Sequence, residues 1–155
     1  MTSPGDASLR ALLDERDIHR ALAQFARIAD AKSFDSLADV FADDVQFDYG
    51  TGQVDHGLVA LRAMLSRHLD NCGGTQHLIG SVLVDVDRDH AVSRAYVQAR
   101  HQRDGDFAGP IFDSNGEYVD RWERRAQGWR IVERIATWAV TTGEPAILAA
   151  DGRLG

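Results

Sequence analysis

Two side chains far apart in the chain, Asp30 and His77, are of the right types to abstract a proton together. In such a pair the carboxylate accepts a hydrogen bond from one imidazole nitrogen, fixes the tautomer and stabilises the imidazolium, leaving the other nitrogen as base. Histidine suits the task because its unperturbed pKa lies near working pH and its neutral form is tolerated in an apolar cavity. Tyr49 and His101 are candidates for polarising a carbonyl or a leaving group. Tyr118 and Arg121 are candidates for further substrate contact, with Arg124 as the alternative to Arg121. Each also has a plainer reading. His77 could bond a backbone carbonyl of its own strand, and Asp30 could cap the helix that follows at Ser33 or Phe34. His101 could be exposed at a strand end, and Tyr49 could be a core tyrosine with its hydroxyl at the rim. A carboxylate at the C-terminal end of a helix faces an unfavourable dipole, which favours a cationic or donor partner for Asp30. His19, His56, His68 and His90 read as surface residues. Asp30, His77 and His101 could in principle hold a metal, but they share no H-x-D or H-x-x-x-H spacing. There is no phosphate-binding glycine loop and no Gly-x-Ser-x-Gly elbow.

His77 lies in a long strand, Gly73 to Asp87, in which Val, Ile and Leu recur at β-type spacing after two glycines. Arg88-Asp89-His90 makes the turn and a second strand, Ala91 to Arg103, returns. Its odd positions are small or apolar and its even ones mostly polar, so one face of the hairpin turns inward and His101 is on that face. A three-residue loop at 88–90 pairs Asp87 with Ala91 and sets His77 opposite His101. A two-residue loop instead brings Arg100 to the face of His77.

The remaining elements follow from periodicity. Residues 1–7 read as a frayed arm, and about Ala7 to Ala29 as an amphipathic helix. A short helix capped by Ser33 carries Phe34, Leu37, Ala38 and Phe41 and ends at Asp43-Asp44. Val45 to Tyr49 alternates as a short strand. A third helix runs from about Gly57 to Asp70, with Asp55 as its cap candidate. A loop from Asp104 to Asn115 precedes strands at Gly116 to Arg125 and Gly128 to Val140, joined by a turn at Ala126-Gln127. The segment from Asp120 to Arg125 alternates as a solvated or interfacial strand. From Thr141 a tail with the apolar run Ala146 to Ala150 is placed to cover a pocket or a neighbouring subunit. Helices first and an antiparallel sheet afterwards is an α+β arrangement, a single domain over 1–155 with its core at about 8–140.

At 155 residues, 44% hydrophobic and 26% charged, the chain has the composition of one ordinary globular domain. A net charge of −7 argues against nucleic acid or an anionic membrane as partner. The single cysteine, Cys72, excludes an internal disulfide. Met1 to Asp6 shows no charged segment leading into an apolar core, and no apolar run nears the roughly 18 residues of a membrane span, so a cytoplasmic location is expected. Arg94, Tyr96, Gln98 and Arg100 on the outer face, with Trp122, Trp129 or Trp138 on the last strand pair, point to a homo-oligomer.

The order of elements, together with Ala29-Asp30-Ala31-Lys32, Phe41-Ala42-Asp43-Asp44-Val45, Thr75-Gln76-His77, Gly116-Glu117-Tyr118-Val119-Asp120 and Gly128-Trp129-Arg130-Ile131, resembles the SnoaL-like group of the nuclear-transport-factor-2-like superfamily. That group includes scytalone dehydratase, bile acid 7α-dehydratase and hexachlorocyclohexane dehydrochlorinase. The resemblance implies a cone of three helices packed on a strongly curved sheet around a pocket. It also implies cofactor-free, metal-free elimination or double-bond isomerisation of a small, mostly apolar cyclic molecule. Asp30 and His77 match the group's catalytic aspartate and histidine, while Tyr49 and His101 resemble the tyrosine and second histidine of scytalone dehydratase. A trimer is then favoured over a dimer. Ala29 stands where dehydratases of the group often carry tyrosine, which keeps dehydrochlorinase-like and isomerase-like chemistry open. A non-catalytic subunit, like the β-subunits of ring-hydroxylating dioxygenases, or a ligand-binding module is the alternative outcome for the same fold.

Overall fold

A computed structural model describes residues 4–105 and 108–149. Helix α1 spans Pro4–Ala31, so it begins inside the expected arm, of which residues 1–3 lie outside the described residues. Ile18, Leu22, Phe25, Ile28 and Ala29 form its buried stripe, and the helix lies mainly against strand β3. It ends in a Schellman arrangement with Lys32 in the left-handed region at φ 54°. Ser33 N–H donates to the Ile28 carbonyl at 3.0 Å and Lys32 N–H to that of Ala29 at 3.2 Å. The short second helix is a 3-10 turn, Phe34–Asp39, and Ser33 makes no side-chain cap bond.

Strand β1 then runs Phe41–Asp48. The helical reading of 41–44 fails because Phe41, Ala42, Val45 and Phe47 are buried by pairing with the last strand rather than by a helix face. Asp55 is likewise no cap. It belongs to a two-residue strand β2, Asp55–His56, and Gly57 precedes helix α2, Leu58–Leu69. The four long strands are β3, Cys72–Asp87; β4, His90–Arg103; β5, Ile111–Arg125; and β6, Gly128–Gly143. Strand β5 thus starts within the expected loop. A second 3-10 turn, Pro145–Leu148, packs Ile147 against Cys72 and Phe112. Ala150, the last residue of the apolar tail run, lies outside the described residues.

The sheet has the order β2-β1-β6-β5-β4-β3, with β1 and β6 parallel and every other pair antiparallel. Bulges in the β3–β4, β5–β6 and β1–β6 pairings curve it around the helices without closing it. Two tryptophans expected on the outer face are core residues: Trp122 is 1% and Trp129 5% exposed. Trp138 is half-buried and faces inward, where its Nε1–H donates to the Tyr49 carbonyl at 2.9 Å. Outside, the sheet carries cross-strand ion pairs such as Arg94–Glu117 and Arg100–Asp113, with Leu78, Leu83 and Tyr96 exposed between them. No helix among the described residues is long and apolar enough to cross a membrane.

Candidate active site

The hairpin turn is two residues long, Arg88-Asp89, with Asp87 opposite His90. Continued regularly, that register would set His77 against Arg100 and turn it out of the cone. It does not continue. Between Gly80 and Leu83 the pairing slips by one residue, and Ser81 takes a left-handed conformation at φ 49°. His77 therefore lies opposite Ala99, and His101 lies opposite Thr75, one diagonal step away on the same inner face. The expected direct His77–His101 pairing is corrected, while both rings meet inside, edge to face, with centroids 5.7 Å apart.

Asp30, in the last turn of α1, reaches the same place from the helix side. Its Oδ1 is 2.7 Å from His77 Nδ1. The backbone N–H of His77 donates to both carboxylate oxygens at 3.1 Å, and Thr75 Oγ1 donates at 3.3 Å. Three donors on one strand thus offset the unfavourable helix end. Lys32 adds a second clamp: its Nζ donates to the carbonyls of Cys72 and Gly73, fixing the end of α1 on the start of β3. With Nδ1–H assigned to Asp30, His77 presents an unprotonated Nε2, and its side chain is only 7% exposed. His101 is buried, and its Nδ1–H donates to the Phe112 carbonyl at 3.0 Å. Burial pushes its pKa down to about 4, so His101 is a neutral ring.

Beside the histidines is a cavity of about 320 Å³, walled by Phe25, Phe47, Tyr49, Phe112, Tyr118 and Trp138, with Met64, Leu65 and Leu69 from α2. Pro145 and Leu148 of the tail close part of it, the covering role considered for this segment. His68 also lines it, half-buried, with Nδ1 on the Met64 carbonyl at 2.8 Å, so its reading as a surface residue is corrected.

Of the six candidates, Asp30, His77, Tyr49, His101 and Tyr118 converge here. Arg121 does not. It points out of the sheet and pairs with Glu133 at 2.8 Å, its side chain 70% exposed. Arg124 stays away too, stacked over Trp129 at 4.5 Å and bonded to Asp14 and Asp89. The cation near the site is instead Arg134, fully buried beneath the tyrosines and directly opposite Asp120 in the β5–β6 register. Two parallel hydrogen bonds of 2.7 Å join the pair. Asp120 is thus no solvated strand residue. The Arg134 guanidinium lies 4.1 Å from the ring centre of Tyr118, 4.3 Å from that of Phe25 and 5.0 Å from that of Phe41, and Nη1 donates to the Tyr49 hydroxyl at 3.4 Å. Burial opposes its charge, and Asp120 overrides that opposition. The signal for this pair was available: Arg134 shares an inward alternation with Ala136 and Trp138, as Asp120 does with Tyr118 and Trp122. Among the described residues no group of three or more His, Cys, Asp or Glu is placed to hold a metal.

The chain matches the SnoaL-like domain family over residues 10–135. An uncharacterized protein of Mycobacterium tuberculosis is 30% identical over 131 residues, covering 84% of this chain and 88% of that one. Among solved structures, a Kribbella flavida protein superposes with a TM-score of 0.81 at 26% identity, over 89% of this chain and 98% of its own. A Novosphingobium aromaticivorans protein provisionally named a scytalone dehydratase gives 0.76 at 23% identity, over 85% and 88%. The fold is that of the nuclear-transport-factor-2-like superfamily.

Proposed function

This chain belongs to the SnoaL-like family, and from that premise we propose that it is a cofactor-independent lyase or isomerase acting on a small, mostly apolar cyclic molecule. His77 Nε2 removes a proton, Asp30 holds the imidazole in the required tautomer and stabilises its charged form, and Tyr49, His101 and Tyr118 contact the substrate. The observation that carries this reading is the 2.7 Å Asp30–His77 contact at the wall of an aromatic cavity. A carboxylate bound by three donors of one strand cannot swing away, so the base is preorganised. The provisional dehydratase name of the Novosphingobium protein is in keeping with the same chemistry. Elimination of water, elimination of halide and a double-bond shift all begin with this step.

The test is kinetic. On a substrate found by screening cyclic alcohols, ketones and halides, His77→Ala and Asp30→Asn should each lower kcat/KM by about a hundred- to ten-thousand-fold. The double variant should cost scarcely more than either alone, because the two act as one unit. Equal activity of His77→Ala and wild type would end the reading. Assembly into a homo-oligomer, a trimer before a dimer, belongs to the same proposal; it is supported by Leu78, Leu83 and Tyr96 exposed on the outer face, and light scattering reads it directly.

A further inference from the structure

Three histidines line the cavity, and the proposed chemistry gives a task to only two of them. The third, His68, stands in the last turn of α2. All three are tethered through Nδ1, each to a different partner. His77 Nδ1 meets the Asp30 carboxylate, His101 Nδ1 the Phe112 carbonyl, and His68 Nδ1 the Met64 carbonyl one turn back on its own helix. Among the described residues they are not placed to share a metal. A ring tied through Nδ1–H to a carbonyl keeps that hydrogen, so the proton it exchanges is the one on Nε2. His68 Nε2 has no hydrogen-bond partner among the described residues. The tethers divide the work. His77 Nε2 is bare and accepts, with Asp30 beside it to balance the charge. His101 is buried with its pKa pushed down to about 4, so its Nε2 has no proton to give. Burial shifts the phenols of Tyr49 and Tyr118 upwards, which makes both reluctant acids. Asp55, which also lines the cavity, is an exposed carboxylate of β2. His68 differs from all of these. It is half-buried, within reach of solvent, and sits at the C-terminal end of α2, where the helix dipole favours a cation. At about 320 Å³ the cavity is filled by one bicyclic molecule, which then touches both the strand carrying His77 and the helix carrying His68.

We propose that His68 is the acid that works opposite His77, its Nε2–H protonating a leaving oxygen, and that the substrate is accordingly a cyclic compound that loses a hydroxyl and not a halide. This rests on the proton-abstraction reading and selects among its chemistries. His77 Nε2 takes a proton from carbon, and the C–H electron pair becomes the new C=C bond. The neighbouring C–O bond breaks, and its pair stays with the oxygen. That oxygen takes the proton of His68 Nε2 and departs as water. His77 ends protonated and His68 neutral, with its Nδ1–H still on Met64. Solvent then takes up the one proton and returns the other, so no co-reactant is consumed. An acid of this kind is needed where the leaving group is a strong base, as hydroxide is. A halide leaves as a stable anion and has no use for it.

The probes are benzisoxazole and 5-nitrobenzisoxazole, bicyclic molecules whose ring opening has the same parts. A base takes the ring hydrogen on the carbon beside nitrogen, the C–H pair completes a nitrile, and the N–O bond breaks to release a phenolate oxygen. The nitro group makes that phenolate a good leaving group with little need of an acid, whereas the parent gains more from being protonated. His68→Phe should lower kcat/KM about ten- to a hundredfold for benzisoxazole and only about two- to threefold for the nitro compound, widening the ratio between them. Both rates come from one preparation, so any protein lost to unfolding cancels in the ratio. An unchanged ratio would overturn the proposal. So would a ratio that widens in His101→Phe and not in His68→Phe, which would put the acid on β4. His77→Ala separates the two readings: it should slow both probes alike, by about a hundredfold or more. Full activity of His77→Ala, with a ratio still dependent on His68, would remove the dyad and leave the acid standing. Absence of turnover in wild type would remove both.

Discussion

Helix α1 carries two inward carboxylates, and they do opposite work. Asp14, near the closed end of the cone, is 6% exposed and takes Trp129 Nε1–H at 3.1 Å on one oxygen and Arg124 at 2.8 Å on the other. Close by, Ser93 Oγ accepts from Trp122 Nε1 at 2.9 Å. Each donor there has found its acceptor inside the protein, and the cluster ties helix to sheet. Asp30 is held as firmly, but its partner His77 has a second nitrogen left over. Among the described residues, His101 Nε2 and the Tyr118 hydroxyl likewise have no hydrogen-bond partner. Both ends bury polar groups at comparable cost. The difference is that the Asp14 cluster spends its hydrogen bonds on the fold, whereas the groups around Asp30 leave some turned towards a cavity.

Arg134 lies on the border between these regions, and its removal should have the largest effect on stability. Arg134→Met strands the buried Asp120 carboxylate and should cost about 3–5 kcal/mol in urea unfolding. The double change Arg134→Met with Asp120→Leu should recover most of that, because a matched apolar pair carries no stranded charge. A double variant as unstable as the single one would mean that the cation–aromatic stack, and not the ion pair, holds this layer.

Next in size is a dependence on pH. In the unfolded chain His101 protonates near 6.5, whereas in the folded protein it stays neutral down to about 4. Between those values the unfolded state binds more protons, so stability falls as pH falls from about 6.5 to about 4. The loss amounts to at most about 3 kcal/mol. Denaturation at pH 7 and pH 4.5 should show it in wild type, and His101→Phe should flatten this part of the curve. The same slope in the variant would locate the titration elsewhere.

The smallest effect sharpens the contrast of the two carboxylates. Asp14→Asn weakens its bonds to Arg124 and Trp129 and should lower stability by about 1–2 kcal/mol. Its kcat/KM should stay at the wild-type value. Asp30→Asn should do the reverse, costing activity far more than stability.

Much of this was legible from residues. Asp30 and His77 stood out by type and by family pattern, and the long strands by alternation. The register did not, because a turn length alone sets the parity of every position upstream and a bulge resets it unseen. Its trace is the three-residue gap between Ile79 and Val82 within an otherwise period-two apolar pattern. Segment 41–44 read as helix because Phe34, Leu37 and Phe41 keep helical spacing, and only pairing with β6 overrides it. The arginines were legible by contrast: Arg121 alternates with Glu117, Val119 and Glu123, whereas Arg134 falls in line with Ala136 and Trp138. Only the bulge in β6 between Ile131 and Glu133, which puts Ile131 and Arg134 on one face, left no trace.

The bulge at Ser81 also means that β3 holds one residue more than its pairing with β4 requires. That surplus is slack in chain length. Loss of any one residue from 78 to 82 could be taken up by straightening the strand, leaving His77 opposite Ala99. Gain of one residue finds no such reserve and would turn Gln76 or Leu78 inward in place of His77. The cavity face of this sheet is thus buffered against shortening and exposed to lengthening, an asymmetry that no inventory of its side chains would reveal.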